Sequence, residues 1–463
     1  MARSARTGRM AFFLLPFFFF LAVSVAEADL KDRVFETVLP NGLKVILLEN
    51  HKAPLLTFQV WYRVGSRNEE SGKTGLSHML EHMMFKGTQK IGPEEFSRII
   101  QEHGGNDNAF TSRDYTAYFE NLSADQAQVA VDMESDRMQN LVLREQDFRP
   151  ERMVVAEERR LRTDDNPSAH LMEQMEATAF QTSPYHWPVI GWMADIGRFT
   201  LQDLKEYYKT YYNPANAFLV VVGDFKKEEM LASIRQAFGA YPKGTAPDQE
   251  RNIDPAQNGE RRVVVKKEAQ LPFLVRVYHV PNLRDRDSYV LEVIAALLSH
   301  GKSSRFYQSL VRDKRLVLDA DADNSLLSRD PGLFYLSAQP LPGKSVEDVE
   351  HALDAEIGRL QKEPVGPGEL EKAKNQLEAT FVFGQDSLFR QAMLLAQNEI
   401  AGGWKSIDDY LPSIRSVSAA DIQRVANRYF TPDNRTTGIL VPLPPRENRP
   451  QTPGTAIKEQ IVR

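Results

Sequence analysis

Along this chain the spacing of apolar residues changes from one period to another, and each change marks an element. In "RVFETVLPNGLKVILLEN" (33–50) two β-type runs flank Pro40-Asn41-Gly42, the turn signal of an opening hairpin. "LLTFQVWYRVGS" (55–66) reads as a further strand, and "GLSHMLEHMMFKG" (75–87) as a helix that ends at Gly87. "GPEEFSRIIQEHGG" (92–105) predicts a second helix with Pro93 at its first position and a glycine pair at its end. "NDNAFTSRDYTAYFENL" (106–122) alternates as a strand does, and "ADQAQVAVDMESDRMQNLV" (124–142) returns to a helical period. The expected fold class is α+β with antiparallel sheets.

Self-comparison adds a second level. "VILLENHKAPLLTFQVWYRV" (45–64) has a counterpart in "VVVKKEAQLPFLVRVYHVP" (263–281), with Pro54 and Pro272 in register at an offset of 218, and each copy leads into a helix. The chain therefore reads as two homologous α/β-sandwich halves, residues 29–242 and 263–441. Between them, 243–262 is polar, contains Pro and Gly, and lacks periodicity, which suits a linker; 442–463 is a Pro-rich tail.

The first 28 residues differ from the rest. Arg3, Arg6 and Arg9 precede "MAFFLLPFFFFLAVSV", an apolar run too short and too broken by Pro16 for a typical spanning helix, which leads into Val25–Ala28. This predicts a secretory signal peptide cut after Ala28, hence a periplasmic or secreted protein; the alternative is an uncleaved membrane anchor. Composition narrows the chemistry. There is no cysteine, which excludes thiol catalysis and disulfides, and the net charge of -6 with dispersed Lys and Arg gives no basic stripe for nucleic acid.

Three polar residues interrupt the apolar helix at 75–87: His78, Glu81 and His82, in a chain with only nine histidines. On an α-helix, positions i and i+4 share a face, so His78 and His82 can offer two imidazole nitrogens to one ion. A catalytic zinc takes three protein ligands and leaves a position for water, whose pKa it lowers to about 7; Glu81, one residue before His82, is placed to act as general base. The order H-x-x-E-H inverts the commoner H-E-x-x-H. The third ligand must come from elsewhere, and "RPERMVVAEERRLRTDDNP" (149–167) supplies candidates. Glu151 and Glu158 are seven apart and share a helix face, whereas Glu157 points about 100° away. Periodicity leaves Glu151 and Glu158 equivalent.

With these motifs the chain resembles the pitrilysin-type metallopeptidases, in particular the bacterial branch similar to mitochondrial processing peptidase. The resemblance runs over nearly all of the chain after the signal and is carried by "GLSHMLEHMMFKGT", "GGNDNAFTSRDYTAYF", "ERMVVAEERRLRTDDNP", "SPYHWPVIGWMADI", "YYNPANAFLVVVGDF" and "SRDPGLFYLSA". It implies one Zn²⁺ per chain held by His78, His82 and Glu158, with Glu151 supporting the site and Glu81 catalytic. It also implies that Asn108, Ala109 and Phe110 lie on an exposed edge strand that pairs with substrate backbone. Family members with a complete site place an Arg and, seven residues on, a Tyr in the second half. Here "VRDKRLVLDADAD" gives Arg312 but Asp319 at the tyrosine position, and an ionised aspartate cannot donate a hydrogen bond to a developing oxyanion. Some members split the site between two similar subunits. The resemblance therefore implies a zinc-bearing subunit that forms half of a clamshell, paired with a similar chain carrying the Arg/Tyr pair and acting on peptides or unfolded segments. The alternative is a non-catalytic scaffold of the same family.

Overall fold

A computed structural model describes residues 30–248 and 254–444. The signal-peptide reading of 1–28 and residues 445–463 of the tail lie outside the described residues.

The first sheet has six strands in the order β1-β2-β6-β3-β5-β4: β1 (Val34–Val38), β2 (Lys44–Glu49), β3 (Leu55–Tyr62), β4 (Asn106–Thr111), β5 (Thr116–Ser123) and β6 (Ala217–Gly223). The second has five in the order β7-β11-β8-β10-β9: β7 (Arg261–Glu268), β8 (Phe273–Val280), β9 (Val317–Asn324), β10 (Gly332–Pro340) and β11 (Arg435–Leu443). A shift of 218 positions carries the bounds of β3 onto those of β8. In both sheets the strand arriving last in its half, β6 or β11, inserts between the first two repeat strands.

That insertion corrects the expectation of antiparallel sheets. β6 runs parallel to β2 and β11 parallel to β7, while every other pairing is antiparallel. A strand that returns after long helical excursions is free to enter in either direction, and local alternation does not encode that direction. Two local readings also change. Residues 106–122 form a hairpin, β4 and β5, turned at 112–115, where Ser112 Oγ accepts from the Asp114 and Tyr115 amides at 3.1 and 3.3 Å. The second predicted helix begins at Glu95, with Pro93 outside it and Glu94 held at φ 65°.

Helices back one face of each sheet, and the other face is covered by a helix from the opposite half. Leu388–Ala401, from the second half, sets Ala392, Leu395 and Ala396 against Ile46, Leu48, Trp61 and Val220 of the first sheet. Pro167–Ala179, from the first half, sets Leu171 and Met175 against Val275, Val277 and Leu440 of the second. Sheets covered on both faces explain why β6, "AFLVVVG", is buried at every position. The linker contributes as well: the Asp254 carboxylate accepts from the amides of Gln181, Thr182 and Ser183 at 2.9, 2.7 and 2.6 Å, tying it to the end of the exchanged helix.

Candidate metal centre

The helix Leu76–Met83 starts on a backbone that admits only glycine. Gly75 has φ +93°, and a Cβ there would lie 2.6 Å from the Ile190 carbonyl; Gly191, opposite, has φ +86° and would place one 2.4 Å from the Thr74 carbonyl. The two glycines let the segments cross in contact. Glu69 receives the freed amides, with Gly75 N and Ser77 N each donating to its carboxylate at 2.7 Å. The helix then buries Leu76, Met79, Leu80 and Met83 and turns His78, Glu81 and His82 toward a groove.

The facing helix, Glu145–Arg159, is fixed at its end by Arg159. This buried guanidinium donates to both oxygens of Glu173 at 2.7 and 2.9 Å and to the Gly191 carbonyl at 2.8 Å. The carboxylates are thereby sorted by position. Glu158 Oε2 lies 3.2 Å from His82 Nε2 and 3.7 Å from His78 Nε2, whereas Glu151 Oε1 accepts from His82 Nδ1 at 2.7 Å. Glu157 is exposed on the far side and pairs with Arg160. Two lysine and arginine side chains complete the arrangement: Lys86 Nζ lies 2.8 Å from Glu151, and Arg162 Nη1 lies 2.8 Å from Glu158.

These residues fit zinc. One ligand atom from each of His78, His82 and Glu158 falls within 4.8 Å of the others. Tetrahedral bonds near 2.0–2.1 Å put ligand atoms about 3.3 Å apart, close to the separations given above. Burial, with His82 beside it, pushes the His78 imidazole down to about 4, so its ring is neutral at pH 7 and carries a free lone pair. For His82, burial opposes charge, but hydrogen bonds to Glu151 and Glu158 outweigh it and raise the ring to about 9. To hold a metal ion through Nε2, His82 would first give up that proton. Both Glu151 and Glu158 are held low despite burial, chiefly by their bonds to His82. Burial raises the Glu81 carboxyl, and the Thr111 hydroxyl, which donates to Glu81 Oε2 at 2.5 Å, opposes that rise.

The groove encloses about 870 Å³, and Asn108, Ala109, Phe110 and Thr111 of β4 line it together with the histidines. β4 is the outermost strand, bonded only to β5 within its sheet. Arg312 is not brought to this groove: it is exposed in the second half and pairs with its neighbour Asp313 at 2.7 Å, and Asp319 lies on β9. The resemblance implies a substrate-binding role for Arg312, and the structure sets it outside the groove that holds His78 and His82. Sequence reasoning also missed Thr111, Lys86 and Arg162. No spacing rule links 111 to 81, but Lys86 lies one helical turn past His82, a signal that was available.

Residues 44–191 match the family described as Insulinase (Peptidase family M16), and 198–377 match the Peptidase M16 inactive domain. The chain is 36% identical over 418 residues to the zinc protease PqqE of Helicobacter pylori, covering 87% of this chain and 92% of that one. It is 27% identical over 417 residues to a probable mitochondrial-processing peptidase subunit beta of Arabidopsis thaliana, covering 88% and 78%. A crystal structure of a protease from Helicobacter pylori superposes with a TM-score of 0.84 at 34% identity, covering 88% of this chain and 99% of that chain. With two M16 halves and relatives that are zinc proteases, the chain belongs to peptidase family M16.

Proposed function

We propose that this protein is a zinc-dependent endopeptidase of the periplasm that cleaves peptides or unfolded segments, and that it works with a similar subunit supplying an Arg/Tyr pair. The observation that carries the reading is the convergence of His78, His82 and Glu158 beside Glu81 in a groove walled by an edge strand. His78 Nε2, His82 Nε2 and the Glu158 carboxylate would hold the ion. Zinc bound there supplies Lewis acidity that brings a water to ionise near neutral pH and polarises a peptide carbonyl.

The residues of the chain account for the remaining tasks. β4 presents its outer backbone edge, along Asn108, Ala109 and Phe110, to an extended peptide, the Ala109 amide exchanging its 2.8 Å bond to Asn108 Oδ1 for one to the peptide, which makes recognition tolerant of side chains. Glu81 accepts the proton of the attacking water and returns it to the departing amine. Thr111 holds one Glu81 oxygen and leaves the other for that exchange. Glu151 fixes the tautomer and orientation of His82 through Nδ1. With Arg312 turned outward and Asp319 where the family pattern has tyrosine, donors for the oxyanion are expected from the second subunit.

Localisation rests on residues 1–28; among the described residues no helix is long and apolar enough to cross a membrane. Asp319 favours a second reading, a scaffold of the same family without catalysis. The deciding experiment measures zinc content and peptide hydrolysis of the chain alone, then mixed with a similar exported chain that carries the Arg/Tyr pair. Zinc near one per chain with hydrolysis only in the mixture is expected. Full activity alone overturns the split site, and a chain that takes up no zinc supports the scaffold.

A further inference from the structure

A second cavity, about 640 Å³, lies between the two halves. The turn 112–115 and Tyr185 wall it from the first half, and the helix Asp287–Ser299, the end of β9 and Tyr410 from the second. Arg113 lines both this cavity and the metal groove, but its charge is engaged: Nη2 donates to Glu176 Oε2 at 2.5 Å, and the other Glu176 oxygen accepts from Tyr335 at 2.9 Å.

This wall holds a carboxylate without a cation and an amide oxygen without a donor. Glu292 accepts from Asn324 Nδ2 at 2.9 Å, and among the described residues no cation pairs with it. Asn324 Nδ2 also donates to the Ser288 carbonyl at 3.2 Å, which fixes the amide; its Oδ1 has no described partner in a residue 8% exposed. The other ionisable groups of the wall do not supply the missing charge. Asp114 is bound by Tyr185 and Arg67, burial pushes the His300 imidazole down and so keeps it neutral, and Asp323 is itself acidic. Tyr115, Phe381 and Tyr410 present aromatic surface to the same space. A carboxylate beneath aromatic walls in a cavity of this size attracts a cation with an apolar body.

We propose that this cavity binds a primary amine on an apolar body, its ammonium on Glu292 and its body among Tyr115, Phe381 and Tyr410. The amine is either a free molecule or the lysine side chain of an extended peptide, and the proposal does not depend on the peptidase reading. Calorimetry on the full chain compares 2-phenylethylamine with 2-phenylethanol, which has the same shape and no charge. The amine should bind at least about tenfold more tightly, and Glu292→Gln should abolish that preference while leaving the alcohol unchanged. Tyr410→Leu, which keeps the carboxylate, should weaken both ligands. Equal binding of amine and alcohol by the native chain, or an amine preference that survives in Glu292→Gln, overturns the proposal. Nα-acetyl-lysine methylamide then separates the sources: binding with the same dependence on Glu292 assigns the site to peptide lysine, and its failure where 2-phenylethylamine binds assigns it to a free amine.

Discussion

The helices Leu76–Met83 and Asp287–Ser299 each follow the same pair of repeat strands, yet one carries the candidate metal ligands and the other a core. The first turns His78, Glu81 and His82 to a groove, where Glu151, Glu158 and Thr111 meet them. The second is almost wholly apolar, with eleven of its residues buried, and its one central charge, Glu292, meets an amide and no cation. The edge strands differ in the same manner. β4 carries its free edge along the groove, whereas β9 sets Asp319, Asp321 and Asp323 on one exposed face, a charge pattern that discourages pairing with another strand. A duplicated frame thus fixes where helices and edges lie, and the polar residues placed on it decide which edge borders the groove of His78 and His82 and which carries a row of carboxylates.

The largest effect should come from the first helix. Glu81→Gln is expected to lower peptide hydrolysis by about 10²–10⁴-fold with zinc content unchanged, whereas His82→Ala should lose both. Metal analysis beside a fluorogenic peptide assay checks this, and retained hydrolysis in Glu81→Gln would remove the general-base role. Next comes the second helix. Burial, with Asp323 adding to it, raises the Glu292 carboxyl to about 7. A raised carboxyl binds more protons in the folded state, so its effect is a stability loss that is absent below the unfolded value near 4.5 and grows as pH rises toward 7. Glu292→Gln should therefore gain on the order of 2–3 kcal/mol over the native chain at pH 8 and little at pH 4, read from denaturant midpoints.

A smaller effect tests the coupling of edge strand to base. Thr111→Val should reduce kcat about tenfold with KM and zinc nearly unchanged, and Thr111→Ser should restore it. An unchanged kcat in Thr111→Val would separate β4 from Glu81. The smallest is expected on the second edge: Asp319→Asn should shift stability by less than about 0.5 kcal/mol and, by itself, confer no hydrolysis on the isolated chain.

Much of this was legible because it is local. The hairpin at Pro40–Gly42, the strand pair repeated at an offset of 218, and the i, i+4 histidines each lie within a few residues of their own signal. The turn at 112–115 was not, since Ser112 closes it with a side-chain hydrogen bond and no Gly or Pro marks it. Periodicity left Glu151 and Glu158 equivalent on one face of a helix, and the resemblance alone favoured Glu158.

The sequence by itself determined the repeat, most elements of the first half and the histidine and glutamate spacing of the candidate metal site, because periodicity and spacing act over one or two turns of chain. Only the tertiary structure decided the parallel entry of β6 and β11, the exchange of covering helices, and which glutamate faces which nitrogen of His82. Those outcomes depend on groups brought together from distant parts of the chain, such as Arg159 closing on Glu173 and Gly75 crossing Gly191, and such contacts exist only once the apolar faces have been buried.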